Sequence, residues 1–308
     1  MTQITAKMVK ELREKAGAGM MDCKKALAEA GGDIEAAVDW LRQKGLAAAA
    51  KKSGRVAADG LVGLAIDGTR GAVVEVNAET DFVARNEQFQ QTVVGVADAA
   101  LTTDVDVEGL KTESFPTSER TVEEELTHQI ATIGENMSLR RIARLSVESG
   151  VIASYIHSKQ TERLGKIGVI VAMESTGDAA KLEAVGKQIA MHIASTSPAS
   201  LSRDDLDPEI VEREKKVQVE KAMEEGKPAE IAEKMVTGRM RKFYEEVVLT
   251  EQAFVMDTDK TVGQVVADLG KELGTDVKLA GFVRYGLGEG IEKAEDDFAA
   301  EVSAMAGV

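Results

Sequence analysis

A chain of 308 residues, 44% apolar and 30% charged, is ordinary for a globular protein and long for one hydrophobic core, which excludes a disordered chain and predicts about two domains or more. The formal charge of −15 is unevenly placed: residues 1–56 hold 11 Lys/Arg against 7 Asp/Glu, or +4, leaving −19 for the remainder. An acidic body disfavours extended phosphate-backbone binding, Cys23 as the single cysteine rules out an intrachain disulfide, and no apolar run approaches the ~18 residues of a membrane helix. With no signal segment before the first helical pattern, the expected setting is the reducing cytoplasm.

Residues 1–44 read as three short helices. Thr5 can cap the first, which turns Met8, Val9 and Leu12 inward and stops at Gly17-Ala18-Gly19; Asp22 can cap the second, with Cys23, Ala26, Leu27 and Ala30; Asp33 can cap the third, where Ile34, Ala37, Val38 and Leu41 form one stripe before Gly45. Leu46 to Gly54 is poor in large apolar residues and reads as a linker, helical or flexible, so the module can be a separate arm.

The body carries one pattern twice. Leu61–Ile66 is a strand, Asp67-Gly68 a hairpin signal, Ala72–Val76 a second strand and Asn86–Leu101 a helix, followed by a polar link, a helix near Glu123–Ile133 and a strand near Leu139–Leu145. The order recurs in strands Val151–Ile156 and Ile167–Met173, helix Ala179–Ile193, helix Val262–Leu273 and strand Val277–Arg284. The implied fold class is α+β, with antiparallel sheets built from two strand, strand, helix, helix, strand units. Between the two helices of the second unit lies an extra antiparallel helix pair, Asp207–Glu225 and Ala229–Phe243, turned by Gly226-Lys227-Pro228 and sparse in apolar residues. Gly290–Val308 reads as an amphipathic helix. The expected parts are 1–55, a helical module with its linker; 56–147, the first core half; 148–203 with 244–286, the second half; 204–243, the inserted hairpin; and 287–308, a C-terminal helical module.

Thr80-Asp81-Phe82-Val83 falls in the strand-to-helix connection of the first unit, where function concentrates. Phe82 there is either a staple packing back on the helix or an exposed working group. Where the first half has Glu79-Thr80-Asp81-Phe82-Val83, the second has Glu174-Ser175-Thr176-Gly177-Asp178, so the unit does not require the aromatic.

Enzyme signatures are missing: no phosphate loop, zinc-protease motif, nucleophile elbow or paired C-x-x-C is present. Gly286, Gly288 and Gly290 lack dinucleotide-binding spacing, and His128, His157 and His192 are scattered, with His192 reading as a core histidine. A binding protein without cofactor or metal is expected.

Two blocks then become recognisable: Val9-Lys10-Glu11-Leu12-Arg13 through Gly19-Met20-Met21-Asp22-Cys23-Lys24-Lys25-Ala26-Leu27, and Glu75-Val76-Asn77 through Thr80-Asp81-Phe82-Val83-Ala84. They resemble the two signatures of the bacterial elongation factor Ts family, and the likeness continues through Ile133-Gly134-Glu135-Asn136, Gly226-Lys227-Pro228, Ile231–Met235, Phe254-Val255-Met256 and Thr261–Gln264. The resemblance implies a guanine nucleotide exchange factor for elongation factor Tu with no reaction of its own. It implies a UBA-like N-terminal module, and a Thr80-Asp81-Phe82-Val83 site that intrudes on the partner's nucleotide domain and disturbs its magnesium and phosphates. It implies further partner contacts from Arg13, Met20, Met21, Lys24, Ile133, Gly134, His157, Val255 and Met256, with the hairpin linked to dimer formation. The Ser158–Gly165 connection looks longer than in that family. The rival reading is a nucleic-acid-binding, ribosome-associated protein that uses the basic module.

Overall fold

The computed structural model describes residues 4–16, 18–225 and 229–292. Its N-terminal helices are α1 (Ala6–Ala16), α2 (Met20–Glu29) and α3 (Ile34–Lys52). Thr5 and Asp33 cap as expected: Met8 N–H donates to Thr5 Oγ1 at 3.3 Å and Ala36 N–H to Asp33 Oδ1 at 2.9 Å. Asp22 does not cap. Gly19 holds the N-cap position of α2, and Asp22 sits in its first turn as the ion-pair partner of Lys44.

Gly45 does not end α3 either. The helix runs on through the alanine stretch because Gly45 is buried where α3 crosses α6 (Val122–Ile133); a Cβ there would stand 3.6 Å from the Ala131 methyl. The small residues that read as a linker make this close helix crossing. Arg42 pairs with Glu124, Lys52 donates to Ile130 O at 3.3 Å, and Arg120 Nη2 donates to Ala16 O at 3.0 Å.

The body holds six main strands: β1 (Asp59–Asp67), β2 (Arg70–Ala78), β3 (Met137–Ser146), β4 (Gly150–Lys159), β5 (Leu164–Glu174) and β8 (Lys278–Gly286). Two short strands, β6 (Ala253–Phe254) and β7 (Asp257–Thr261), form a separate hairpin. All pairings between these strands are antiparallel. β1-β2-β3 make one sheet and β4-β5-β8 the other; they join at a corner where Val62 and Gly63 of β1 pair with Gly165 and Leu164 of β5.

Alternation along each strand divides the core. Leu61, Ala65, Ala72, Val74 and Val76 face α4 (Glu87–Thr102), α5 (Val107–Thr112) and α6. Val169, Val171, Met173 and Leu279 face α7 (Ala179–Thr196) and α10 (Val262–Leu273). The opposite faces meet each other, with Val62, Leu64 and Val73 against Ile152, Ile156 and Ile170. The layers therefore run helices, sheet, sheet, helices, as the α+β expectation requires.

The two units agree in detail. A bulge falls between Glu75 and Val76 against β3, and another between Ala172 and Met173 against β8. Gly60 (φ +118) lies so close to the partner strand that a Cβ would be 2.3 Å from Val76 O; Gly150 (φ +125) would put one 2.0 Å from Met173 O. Thr121 with Glu124 and Thr261 with Gln264 form capping boxes, each helix ending at a left-handed glycine, Gly134 or Gly274. Val262 N–H donates to Gln252 O as Val122 N–H does to Glu113 O, so β6–β7 has its counterpart in the Ser114–Thr121 bridge.

Sequence periodicity missed α5, read as a polar link, and extended the β4–β5 connection too far. β4 pairs through Lys159, opposite Gly165, so only residues 160–163 connect the strands. Helices α8 (Pro208–Glu224) and α9 (Ala229–Val247) form the inserted hairpin; its Gly226-Lys227-Pro228 turn and the C-terminal segment from 293 lie outside the described residues. No helix among the described residues is long and apolar enough to cross a membrane.

One carboxylate is fully buried between the sheets. Glu75 accepts from Asn77 Nδ2 (3.0 Å), Arg140 Nη1 (3.0 Å), Arg141 Nε (2.5 Å) and Gly288 N–H (2.8 Å). Burial pushes its pKa up, but the Gly288 N–H, the Asn77 amide and the two guanidiniums together outweigh burial and hold it below the usual carboxylate value. The second unit has Ala172, Ala280 and Gly281 at the matching bulge.

Two predictions follow from these strands. Gly60→Ala and Gly150→Ala should each lower stability by about 1–3 kcal/mol through strain and steric overlap, read as a lower urea midpoint. A depressed folded-state pKa stabilises above the unfolded carboxylate range and loses that contribution as pH falls through the folded value, so Glu75→Gln should flatten the acid limb of the stability-versus-pH curve.

Candidate functional site

The first unit departs from its repeat between β2 and α4. Matching Val76 to Met173 through the bulges and glycines sets Ala78 against Ser175, and the N-caps Asn86 and Asp178 correspond. Seven residues, 79–85, link those points in the first unit and two, 176–177, in the second. The pentapeptides compared in sequence are thus not equivalent positions: the segment around Asp81 and Phe82 is an insert that the unit folds without.

The insert is firmly held at both ends. Thr80 donates twice to one carboxylate, N–H to Glu135 Oε2 at 2.9 Å and Oγ1–H to Glu135 Oε1 at 2.7 Å. Asn136 N–H donates to Glu79 Oε1 at 2.5 Å, and Asn136 Nδ2 to Arg55 O at 2.8 Å. At the other end Val83 is buried in the first unit's core, with Arg85 N–H on Phe82 O at 3.1 Å and Asn86 N–H on Val83 O at 2.9 Å closing a single 3₁₀ turn. Asn86 then caps α4 through the Gln88 and Phe89 N–H groups.

Between the anchors Asp81 and Phe82 stand out from the surface. Phe82 is 74% exposed, so the staple reading fails and Val83 is the inward anchor. Asp81 is exposed, 3.7 Å from Arg85, a contact worth little in water. An aromatic ring left in solvent by a backbone this constrained is poised to be buried by something else.

The other expected contact residues fall into three places. Ile133 and exposed Gly134 end α6 directly before Glu135, beside the insert. Met20 (61% exposed) and Met21 begin α2, with Arg13 and Lys24 also exposed on the module, which reaches the insert through α3 and α6. Val255 and Met256 form the exposed tip of β6–β7, while exposed His157 lies on β4 with Nδ1 3.3 Å from Tyr155 Oη. These last three belong to the second unit, and no hydrogen bond or ion pair ties them to the insert among the described residues.

His192 is a core histidine, as expected, and it holds that second tip. Its Nδ1 accepts from Val255 N–H at 3.2 Å, which places the proton on Nε2, 2.8 Å from Gln252 Oε1. Burial lowers its pKa, against a smaller upward pull from Gln252, and keeps the ring neutral.

Sequence reasoning missed Glu79, Glu135, Asn136 and Arg55 as the insert's supports. The two loops are more than 50 residues apart in the chain; the available signal was that Glu135 and Asn136 belong to a block of the family likeness, just beyond the helix-ending Gly134.

A displayed aromatic on an insert the repeat does without, together with methionines displayed on a helical module, places the chain among proteins that work through contacts with a partner. A family model described as Elongation factor TS matches residues 79–289, beginning at the first residue of the insert. The chain is 63% identical to the Elongation factor Ts of Rhodospirillum centenum over 307 residues, covering 100% of both chains. It is 60% identical to that of Paramagnetospirillum magneticum, covering 100% of this chain and 98% of the relative, and 56% identical to that of Rhizobium meliloti, covering 98% and 99%. The chain belongs to the elongation factor Ts family of translation factors.

The insert's geometry separates display from support. Phe82→Ala should leave the unfolding free energy from urea titration within about 0.5 kcal/mol of the parent, whereas Val83→Ala should lower it by about 1–3 kcal/mol.

Proposed function

We propose that this chain is the guanine nucleotide exchange factor of elongation factor Tu: it binds the GDP-bound GTPase and speeds GDP loss so that GTP can enter. Asp81 and Phe82 are the part that enters the nucleotide domain and disturbs the magnesium and phosphate site, flanked by Thr80 and Val83. The observation that carries this reading is the 74% exposure of Phe82 on an insert clamped at both ends and absent from the repeated unit. The name its relatives bear, Elongation factor Ts, agrees with it. The reading assigns the chain no covalent step, no cofactor and no metal of its own.

Magnitudes decide how the work is shared. A nucleotide held at nanomolar affinity is bound by about 12 kcal/mol, and a partner weakens it only by as much as it prefers the empty state. Speeding release about 10⁴-fold requires about 5.5 kcal/mol at the barrier, while burying one Phe contributes about 1.5–3 kcal/mol. Phe82 alone is too little, so exchange draws on a broad surface. Arg13, Met20, Met21 and Lys24 on the module, Ile133 and Gly134 beside the insert, and His157, Val255 and Met256 on the second unit supply it. Several basic residues of the module are already paired, Lys15 with Glu35, Lys44 with Asp22 and Arg42 with Glu124, which favours a protein partner over nucleic acid. Exposed Ile210, Met223 and Ile231 on the α8–α9 hairpin are the surface for a second copy or complex.

The test is release of a fluorescent GDP analogue from elongation factor Tu with substoichiometric amounts of this protein and excess unlabelled GDP. Accelerated release that turns over is expected, with Phe82→Ala slowing it about 10- to 100-fold while a complex still forms. No acceleration by the parent chain overturns the reading, and an unchanged rate with Phe82→Ala removes that residue from the mechanism.

A further inference from the structure

One carboxylate, Glu135, grips Thr80 at two points. Thr80 offers two donors, N–H and Oγ1–H, and Glu135 receives one on each oxygen, at 2.9 and 2.7 Å. A two-point bond of this kind fixes both the backbone and the χ1 of one residue. A short hydroxyl side chain at 80 adds a second donor beside its own N–H, and a carboxylate at 135 offers two acceptors with no competing donor. Asn136 N–H returns the exchange to Glu79 Oε1, so the insert and the α6–β3 turn are locked reciprocally. Val83 is buried three residues on. The free part of the insert is therefore two residues long, Asp81 and Phe82, and Thr80 sets the direction in which it departs. The same turn carries Ile133 and Gly134, so the grip also fixes the distance between that pair and the aromatic ring.

We propose that Glu135 is a positioning residue for nucleotide exchange: its grip on Thr80 aims Asp81 and Phe82 and keeps them in register with Ile133 and Gly134. The inference rests on the reading of Phe82 as the group that acts on the partner. A broad interface supplies affinity, whereas the aim of a two-residue tip counts at the step in which the nucleotide site is deformed; misplacement of a working group by about 1 Å can slow a reaction about 100-fold. Loosening the grip should thus lower the saturating rate and spare the concentration needed for half-saturation.

The experiment measures GDP-analogue release from the GTPase against concentration of the full-length protein, for Glu135→Ala, Glu135→Gln, Thr80→Val and Thr80→Ser, each also combined with Phe82→Ala. Glu135→Ala and Thr80→Val should each lower the saturating rate about tenfold, with half-saturation shifted by no more than about twofold. Glu135→Gln, the same shape with one acceptor left, should fall between them and the parent, and Thr80→Ser should stay within about twofold of it. In the Phe82→Ala background Glu135→Ala should add less than about twofold, because an aimed group that is gone cannot be misaimed. A saturating rate kept by both Glu135 variants, a loss seen in half-saturation alone, or a loss that multiplies with that of Phe82→Ala would each overturn the positioning role. Should Phe82→Ala itself leave the rate unchanged, the reading of the tip fails and this inference with it. A slowed Phe82→Ala beside an unaffected Glu135→Ala sinks the positioning role alone. If Glu135→Ala does not fold, Glu135→Gln decides by the same criteria.

Discussion

Two backbone pairs, Val62 with Gly165 and Gly63 with Leu164, fix the corner at which the two sheets of this molecule join. The corner exists because side chains are missing where the sheets turn toward each other. A Cβ on Gly63 would stand 2.8 Å from Val93 Cγ1, one on Gly165 2.4 Å from Ile156 Cγ2, and one on Gly168 2.6 Å from Val62 Cγ1. Leu164 then crosses from the second unit into the first unit's core, and Arg163 closes the edge through Leu64 O and Asp98. With one unit's leucine in the other's interior, the halves cannot shift independently without opening a cavity. The insert on the first unit and the Val255-Met256 tip on the second are thereby presented at a fixed separation.

The repeat also shows where each half was elaborated. The first lengthens its strand-to-helix connection into the clamped insert; the second lengthens its helix-to-helix connection into α8–α9. Neither addition replaces a core residue of the basic unit, since bulges, capping boxes and pre-helix bridges are shared. Elaboration at a connection leaves the buried layers intact, which is why a loop can carry function on a scaffold that does not bend.

Much of this was legible in the sequence because the signals were local. Short apolar runs bounded by turn signals located all six main strands, and period-3.6 stripes located α4, α6, α7 and α10 to within a few residues. Glycine was misread where its role was close approach rather than termination: Gly45 sits inside α3 because α6 passes against it. α5 escaped notice because six residues give periodicity too little length. At the site, the recognised motif singled out Phe82, but whether it pointed in or out required the register of the repeat, which sequence alone misplaced. The Glu135 grip and the charged partners of Glu75 depend on pairs distant along the chain, and nothing adjacent to either carboxylate announces them.

The Glu75 site spans 213 residues of sequence from its carboxylate to Gly288, and that distance orders events during synthesis. Asn77, Arg140 and Arg141 emerge with the first unit, so the charge is neutralised early. The last donor arrives only when the final strand does. The face of the first sheet that carries Val62, Leu64 and Val73 likewise has no cover until β4 and β5 are made, and no completed seal until β8 follows. At about 5–20 residues per second the interval from β3 to β8 lasts on the order of 10 s. A nascent chain of this protein thus exposes that apolar face until β4 and β5 emerge, and the buried carboxylate waits for its last donor until β8 has followed.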